Sequence, residues 1–401
     1  MRHNAPPQLL LDLSELVHRD ARSGVQRVTR AMLQALLTTP PDGYRVAPVY
    51  DAGGFYAYAV AASADGDAAR YGAAAAGEET PLQVAPGDIF FGLDLALESV
   101  VRNAPVLADL QRHGVSMHFF IHDLLPLRHP EWFESGLVAV FGRWLATVAQ
   151  LADGLICNSR ATADDLLDWF DLAPPQRAAR RPLQIGYAHL GADLDASLPS
   201  SGIDHDATQI LERLSSRPTL LMVGTLEPRK MHAQVLDALE DLWRNGAEVN
   251  LVIVGKQGWQ VPELCNRLRA HAQQGQQLFW LEHASDELLH TLYQRSSALL
   301  AASSAEGFGL PLIEAAHHGL PVIARDVPVF REVGGEHAWY FKAEDGDQLA
   351  TALRTWLDLH EQGMAPASGA MTYLDWAGSA RQLLSVMLEQ RWYRTAPIQL
   401  A

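Results

Sequence analysis

Cysteine is nearly absent from this chain: Cys157 and Cys265 are the 2 cysteines among 401 residues, and no C-x-x-C spacing occurs. That excludes a disulfide framework and a paired-cysteine zinc site, and both thiols are expected as buried packing residues. Lysine is almost as rare. Only Lys230, Lys256 and Lys342 stand beside a much larger number of arginines, so a lysine set in a motif is conspicuous. Basic charge is short overall, with a formal net charge of −16 and a pI near 5.4, which excludes a surface that tracks nucleic-acid phosphates. The apolar stretch QLLLDLSEL is broken by Asp12 and Glu15. Neither a secretory h-region nor a membrane span can be built from it, and the expected compartment is the cytoplasm.

Hydrophobic residues make up 48% of the chain and charged ones 19%, the composition of a folded chain with a large core and two or three domains. Short apolar runs alternate with amphipathic helical stretches, the βαβα pattern of parallel sheets covered on both faces. In the first half strands are expected at LLLDL (9–13), YRVAPVY (44–50), DIFFG (88–92), SMHFFIH (116–122), GLICN (154–158) and LQIGYAH (183–189). The segment 51–86, rich in Ala, Gly and Asp, has neither period and reads as a long loop or insertion. A hinge is expected at GADLDASLPSSGID (191–204), and the alternation restarts with TLLMVGT (219–225), VNLVIVG (249–255), LFWLEH (278–283), ALLAAS (298–303) and PVIARD (321–326). The chain is therefore expected to be α/β, with doubly wound domains over 1–195 and 205–377 and a C-terminal helix at about 378–401 packing back on the first. Two such domains would turn their βα loops towards a central cleft.

The sharpest local chemistry lies in SSAEGFGLPLIEAAHHGLPVIA (303–324). Pro311 suits the first turn of a helix, Gly319 closes it, and Pro321 forbids its continuation. Unpaired N–H groups at such a helix start, flanked by Gly307 and Gly309, suit a phosphate. The carboxylates of Glu306 and Glu314 suit the vicinal hydroxyls of a sugar. A nucleotide-sugar presents a carbohydrate on either side of a diphosphate and would satisfy both. On spacing alone, a Glu306 that caps a turn and a Glu314 on a solvated helix face is an equally serviceable reading. Arg229 and Lys230, adjacent after a strand, offer a planar fork and a point charge for phosphate. His122 and Asp123 end an apolar strand, where a βα loop projects. The pairs Asp65/Asp67, Asp193/Asp195 and Asp345/Asp347 read as turn or hinge chemistry, so no metal is expected. His317 and His318 lack an HExxH partner and are expected in packing or surface roles.

EGFGLPLIE resembles the E-x7-E motif of the retaining glycosyltransferase family four, which has the GT-B fold of two Rossmann-like domains facing a central cleft. VGTLEPRKMHAQVLDA (223–238) resembles that family's phosphate-binding segment, VGKQGW (254–259) a loop of its bacterial surface-polysaccharide members, and SDELLHTLY (285–293) the helix beside the nucleotide base. SGVQRVTRAML (23–33), IHDLLP (121–126) and CNSRATADDL (157–166) resemble its N-domain motifs. The likeness runs in order from about 9 to 393 and is weakest at 51–86.

The resemblance implies that Arg229 and Lys230 bind the donor diphosphate, Glu314 its ribose, and Glu306 the transferred sugar together with the amides of Gly307, Phe308, Gly309 and Leu310. It implies that Gly24, Gly255, Lys256, His283 and Ala284 line the donor site, that His122 contacts the sugar or reacting centre, and that Arg27 and Asp123 serve the acceptor. The expected reaction moves a hexose, mannose or rhamnose, from a nucleotide diphosphate donor to a glycan or lipid-linked glycan of a bacterial surface polysaccharide such as O-antigen. GDP-mannose or GDP-rhamnose is favoured as donor, with UDP-hexoses open, and retention without a metal or cofactor is expected. A nucleotide-sugar epimerase on the same fold and a non-catalytic sugar-nucleotide-binding protein stay open at this point. Arg19, Arg22, Arg27 and Arg30 form a local basic cluster suited to peripheral contact with the inner membrane.

Overall fold

The computed structural model describes residues 6–19, 23–62, 70–177, 181–193, 200–203, 205–214 and 216–400. The chain divides into two compact units. The first runs to Gly191 and resumes at Leu374; the second comprises Ala192–Tyr373, with Glu131–Phe133 grouped with it.

The first unit contains β1 (Gln8–Asp12), β2 (Arg45–Asp51), β3 (Tyr56–Tyr58), β4 (Val60–Ala62), β5 (Arg70–Gly72), β6 (Ile89–Gly92), β7 (Ser116–Ile121), β8 (Gly154–Cys157), β9 (Gln176–Arg177) and β10 (Leu183–Tyr187). The second contains β11 (Thr219–Val223), β12 (Asn250–Val254), β13 (Leu278–Leu281), β14 (Ala298–Ala301), β15 (Val322–Arg325) and β16 (Trp339–Phe341); β17 (Arg394–Ala396) and β18 (Gln399–Leu400) return to the first. In the first sheet β10-β8-β7-β6-β1-β2 run parallel, closed at the edges by antiparallel β17 and β3. In the second the order is β13-β12-β11-β14-β15-β16, parallel throughout. Each order reverses once, between β1 and β6 in one and between β11 and β14 in the other, and the carboxyl ends of strands at such a reversal are where open α/β sheets bind ligands.

The central strands are apolar without alternation because helices cover both faces. β6, β7 and β8 pack Phe90, Phe119 and Leu155 against Phe141 and Trp144 of the helix Ser135–Leu151. In the second unit Leu220, Leu251 and Leu300 meet Leu236, Leu239 and Leu242 of the helix His232–Arg244. Cys157 and Cys265 are both free and buried.

Three expectations are corrected. Apart from β2 and β6, the expected strands stop a residue or two early at their carboxyl ends, because the polar residues there turn to bonding across the loops: Asn158 Nδ2 donates to His122 O at 2.7 Å. The segment 51–86 is more than a loop. It holds β3, which pairs with β2, and the β4–β5 ribbon, strands too short for a two-residue period to show. Asp65 and Asp67 fall outside the described residues. The C-terminal helix is confined to Trp376–Leu388; beyond it the chain turns at Gln390, φ 58, and enters β17, antiparallel to β10. Trp392 lies over Gly154 and Gly186, where an added Cβ would stand 2.2 Å and 3.1 Å from its ring. His118 stacks on the same ring at 5.6 Å between centroids.

At the β1/β6 reversal two carboxyl groups are buried. Asp12 Oδ1 accepts from Ser14 N at 3.0 Å and from the Ser14 hydroxyl at 2.5 Å; Asp94 Oδ2 accepts from Leu16 N at 2.6 Å. Burial pushes Asp12 up to about 7 and Asp94 up to about 6. For Asp12 the folded value lies above the ordinary 3.8, so its contribution to stability is complete below that value and is lost as pH rises through 7. Asp12→Asn keeps an acceptor for Ser14 but is never charged. It should raise the melting temperature of the first unit by several degrees at pH 8, with the gain shrinking to near zero towards pH 4, measured by calorimetry across that range. A gain independent of pH would show that Asp12 is not protonated in the fold.

Candidate functional site

The second unit's reversal between β11 and β14 brings together the segments that carry Arg229, Lys230 and Glu306. After β11 the chain passes Gly224 at φ 136, a backbone conformation that L side chains rarely adopt, beside the Lys230 ammonium. A short 3-10 turn, Pro228–Lys230, then leads through Met231 at φ 57 into the helix His232–Arg244. After β14 the chain turns through Ser303 to Gly309, itself at φ 94 with an added Cβ 2.8 Å from the Phe330 ring, and enters the helix Leu310–His317 with Pro311 in its first turn. The two loops are tied by Ser304 N donating to Arg229 O at 2.9 Å.

Glu306 bridges both cations. Its Oε2 accepts from Arg229 Nη1 at 2.6 Å and its Oε1 pairs with Lys230 Nζ. Arg229 Nη1 also reaches Ala305 O at 3.3 Å, and Arg229 Nε donates to Glu227 Oε2 at 2.7 Å. Side-chain exposure is 10% for Glu306, 15% for Arg229 and 14% for Lys230, so the pairing is shielded from water and from salt. Burial alone would push the Glu306 carboxyl up, but Arg229, Lys230 and the Ser303 hydroxyl together hold it down at about 2. Behind Lys230, His232 is buried with no partner on Nδ1 among the described residues, and burial together with the two neighbouring cations lowers it to about 3.

Glu314 is 1% exposed, which overturns the reading of a solvated helix-face residue. Its Oε2 accepts from the Tyr293 hydroxyl at 2.6 Å. Phe308 is buried, and Gly307, Gly309 and Leu310 span the turn between the two glutamates. Gly255 follows β12 at φ 156, where an added Cβ would stand 2.0 Å from Gly224 O, so only glycine lets these two loop backbones approach. Lys256 O accepts from Leu226 N at 3.0 Å. His283 and Ala284 follow edge strand β13, two strands from the reversal on the same edge of the sheet.

The remaining candidates belong to the first unit. His122, just past β7, is 7% exposed; its Nε2 has no partner among the described residues, and burial lowers it to about 4. It is therefore a neutral imidazole near pH 7. Asp123 Oδ1 accepts from Leu125 N at 3.0 Å, a turn contact. Gly24 opens the helix Gly24–Thr38 behind a capping box of Ser23 and Gln26, with open space where a side chain would stand, and Arg27 lies on that helix, part-exposed. Asp345 caps the helix Gly346–Glu361 through Gln348 N at 2.9 Å, the turn chemistry expected of it; Asp195 falls outside the described residues. His318 stacks on Tyr293 at 5.3 Å and stands edge-on to His290 at 4.4 Å.

Two residues escaped the sequence reading. Glu227 precedes Arg229 by two positions in LEPRK and orients its guanidinium, a signal available in the motif itself. Tyr293 lies 21 positions from Glu314, and nothing in the sequence joins them.

Residues 206–369 match the family described as glycosyl transferases group 1. Over 380 residues, 94% of this chain, the sequence is 44% identical to the serotype-specific mannosyltransferase WbdA of Escherichia coli, of which the match covers 46%. It is 31% identical over 213 residues, 49% of this chain, to phosphatidyl-myo-inositol mannosyltransferase of Mycobacterium tuberculosis, covering 54% of it. The chain thus spans a little under half the length of WbdA. Among solved structures it is similar to Anabaena HepE in complex with UDP and glucose, with a TM-score of 0.62 at 15% identity over 96% of this chain and 99% of that one. Sucrose-phosphate synthase from Thermosynechococcus elongatus gives the same TM-score of 0.62, also at 15% identity and over 96% and 99% of the two chains. These likenesses carry the fold alone, which is GT-B, two Rossmann-like units. Within it, residues 206–369 carry the match to the group 1 glycosyltransferases.

Proposed function

We propose that this chain transfers a mannose from a nucleotide diphosphate donor, GDP-linked by preference, to a glycan or lipid-linked glycan acceptor in bacterial surface polysaccharide synthesis. The observation that carries the reading is the Glu306 carboxylate bridging Arg229 and Lys230 at the β11/β14 reversal. The mannosyltransferase relatives support the choice of sugar. Charge develops on the departing diphosphate in the transition state, and two fixed cations there stabilise it without reorganisation. In the free protein Glu306 occupies the place of that diphosphate. The donor's phosphates take over Arg229 and Lys230, and the released carboxylate accepts hydrogen bonds from the hexose hydroxyls. Glu314 holds the ribose. The sugar is transferred with retention by front-face displacement, in which the leaving phosphate takes the proton of the incoming hydroxyl. His122, Gly24, Arg27 and Asp123 serve the sugar and acceptor from the first unit.

No divalent metal and no cofactor takes part, because Arg229, Lys230 and the helix start at Leu310 supply the charge. No helix among the described residues is long and apolar enough to cross a membrane. A lipid-linked acceptor would bring the protein to the inner membrane from its cytoplasmic side, with Arg19, Arg27 and Arg30 towards anionic lipid.

Glu306→Gln tests the exchange. Removing the carboxylate takes one ion-pair partner from each of two buried cations, so the free protein should melt lower. Free GDP should nevertheless bind several-fold more tightly than to wild type, since it no longer competes with Glu306. Transfer from GDP-mannose should fall in kcat by about 10² or more, the scale of a lost transition-state contact. Weaker GDP binding in Glu306→Gln, read by calorimetric titration, would contradict the exchange.

Transfer from GDP-mannose should also survive excess EDTA within about twofold. Activity that disappears in chelator and returns with magnesium or manganese would overturn metal independence.

A further inference from the structure

Burying a carboxylate is costly unless donors satisfy it, and Glu314 is 1% exposed. Its named donor is the phenol of Tyr293, at 2.6 Å from Oε2. Tyr293 comes from the neighbouring helix Asp286–Arg295, which Ser285 caps through Leu288 N, and is itself 1% exposed. Its ring is held by near-parallel stacking on His318, 16° between planes and 5.3 Å between centroids. His318 is wedged in turn against His290 at 4.4 Å. The phenol therefore has one orientation, and its single proton points at Oε2.

That contact fixes the rotation of the carboxylate plane, so that the carboxylate presents its acceptors in one direction only. A vicinal diol needs two acceptors at a set spacing and angle, and an acceptor group aimed in advance binds it at lower entropic cost than one that must be ordered on binding.

We propose that Tyr293 is a positioning residue that aims Glu314 at the 2′,3′-diol of the donor's ribose, and so makes the site discriminate ribose from 2′-deoxyribose. The inference rests on the reading of Glu314 as the ribose ligand. It adds to that reading a residue outside the E-x7-E segment and a selectivity that depends on it.

The test compares GDP with 2′-deoxy-GDP, and UDP with 2′-deoxy-UDP, by calorimetric titration of the full chain as wild type, Tyr293→Phe, Tyr293→Met and Glu314→Gln. Wild type should prefer the ribonucleotide by about tenfold, the scale of one lost hydrogen bond to a charged group. Glu314→Gln should abolish the preference. Both hydroxyl-free variants of Tyr293 should bring it to within about twofold of unity while leaving the deoxynucleotide affinity near wild type. With GDP-mannose as donor, Tyr293→Phe should raise KM and leave kcat within about twofold. A merely structural loss would weaken ribo- and deoxynucleotide together. If Glu314→Gln removes the preference and both Tyr293 variants keep it, the positioning role is overturned and the ribose reading stands. If wild type shows no preference, binds neither nucleotide pair, or keeps its preference in Glu314→Gln, the ribose reading falls and the inference falls with it.

Discussion

One carboxylate between two cations organises the second unit. Glu306 ties the loop after β11 to the loop after β14, the two strands between which the sheet order reverses, and does so in a setting almost closed to water. An ion pair so buried loses much of its Coulombic gain to desolvation, so it is poorly explained as a device for stability. Its cost makes sense where the charges must be pre-arranged for a ligand. Glu227 shows the same logic at one remove: by holding Arg229 Nε, it leaves the other edge of the guanidinium to Glu306. Glycine makes the arrangement possible, since at Gly255 the β11 and β12 loops lie closer than any side chain would allow.

The two units share a winding pattern and use its reversal point differently. In the second, the reversal gathers cations and a carboxylate that stays ionised. In the first, it gathers Asp12 and Asp94, carboxyl groups that burial drives towards the neutral form. One reversal holds a carboxylate well below the ordinary range and the other holds two above it. The difference follows from what lies opposite: Arg229 and Lys230 in one case, backbone N–H groups and the Ser14 hydroxyl in the other.

Much of this was legible in the sequence for definite reasons. Pro311, Gly309 and Gly319 punctuate the helix of the E-x7-E segment because each has a backbone preference that only certain positions accept, and the helix Leu310–His317 starts and stops where they require. The continuous apolar runs of β6, β7, β8 and β12 announced strands covered on both faces. Strand ends were read too long, because the polar residues there bond across the loops instead of continuing the ladder, which the pattern of residues alone does not announce. β3, β4, β5 and β17 carried too few residues for a period to show. Burial of Glu314 was invisible for another reason. A glutamate four residues into a helix reads as surface unless its partner is known, and Tyr293 is brought to it by the packing of two helices, not by sequence proximity. Asp12 was read as a break in an apolar run, when its interest lies in the Ser14 and Asp94 contacts that only the fold supplies.

The return of residues 374–401 to the first unit has a consequence for how the protein comes into being. The slot over Gly154 and Gly186 is filled by Trp392, and the free edge of β10 is taken by β17, both translated after the whole of the second unit. A nascent chain therefore completes the second unit's sheet while the first still exposes a glycine-floored groove and an unpaired strand edge. Such edges recruit foreign strands. The vulnerable period in synthesis belongs to the unit whose sequence emerges before the other's, and that edge closes only when β17 docks.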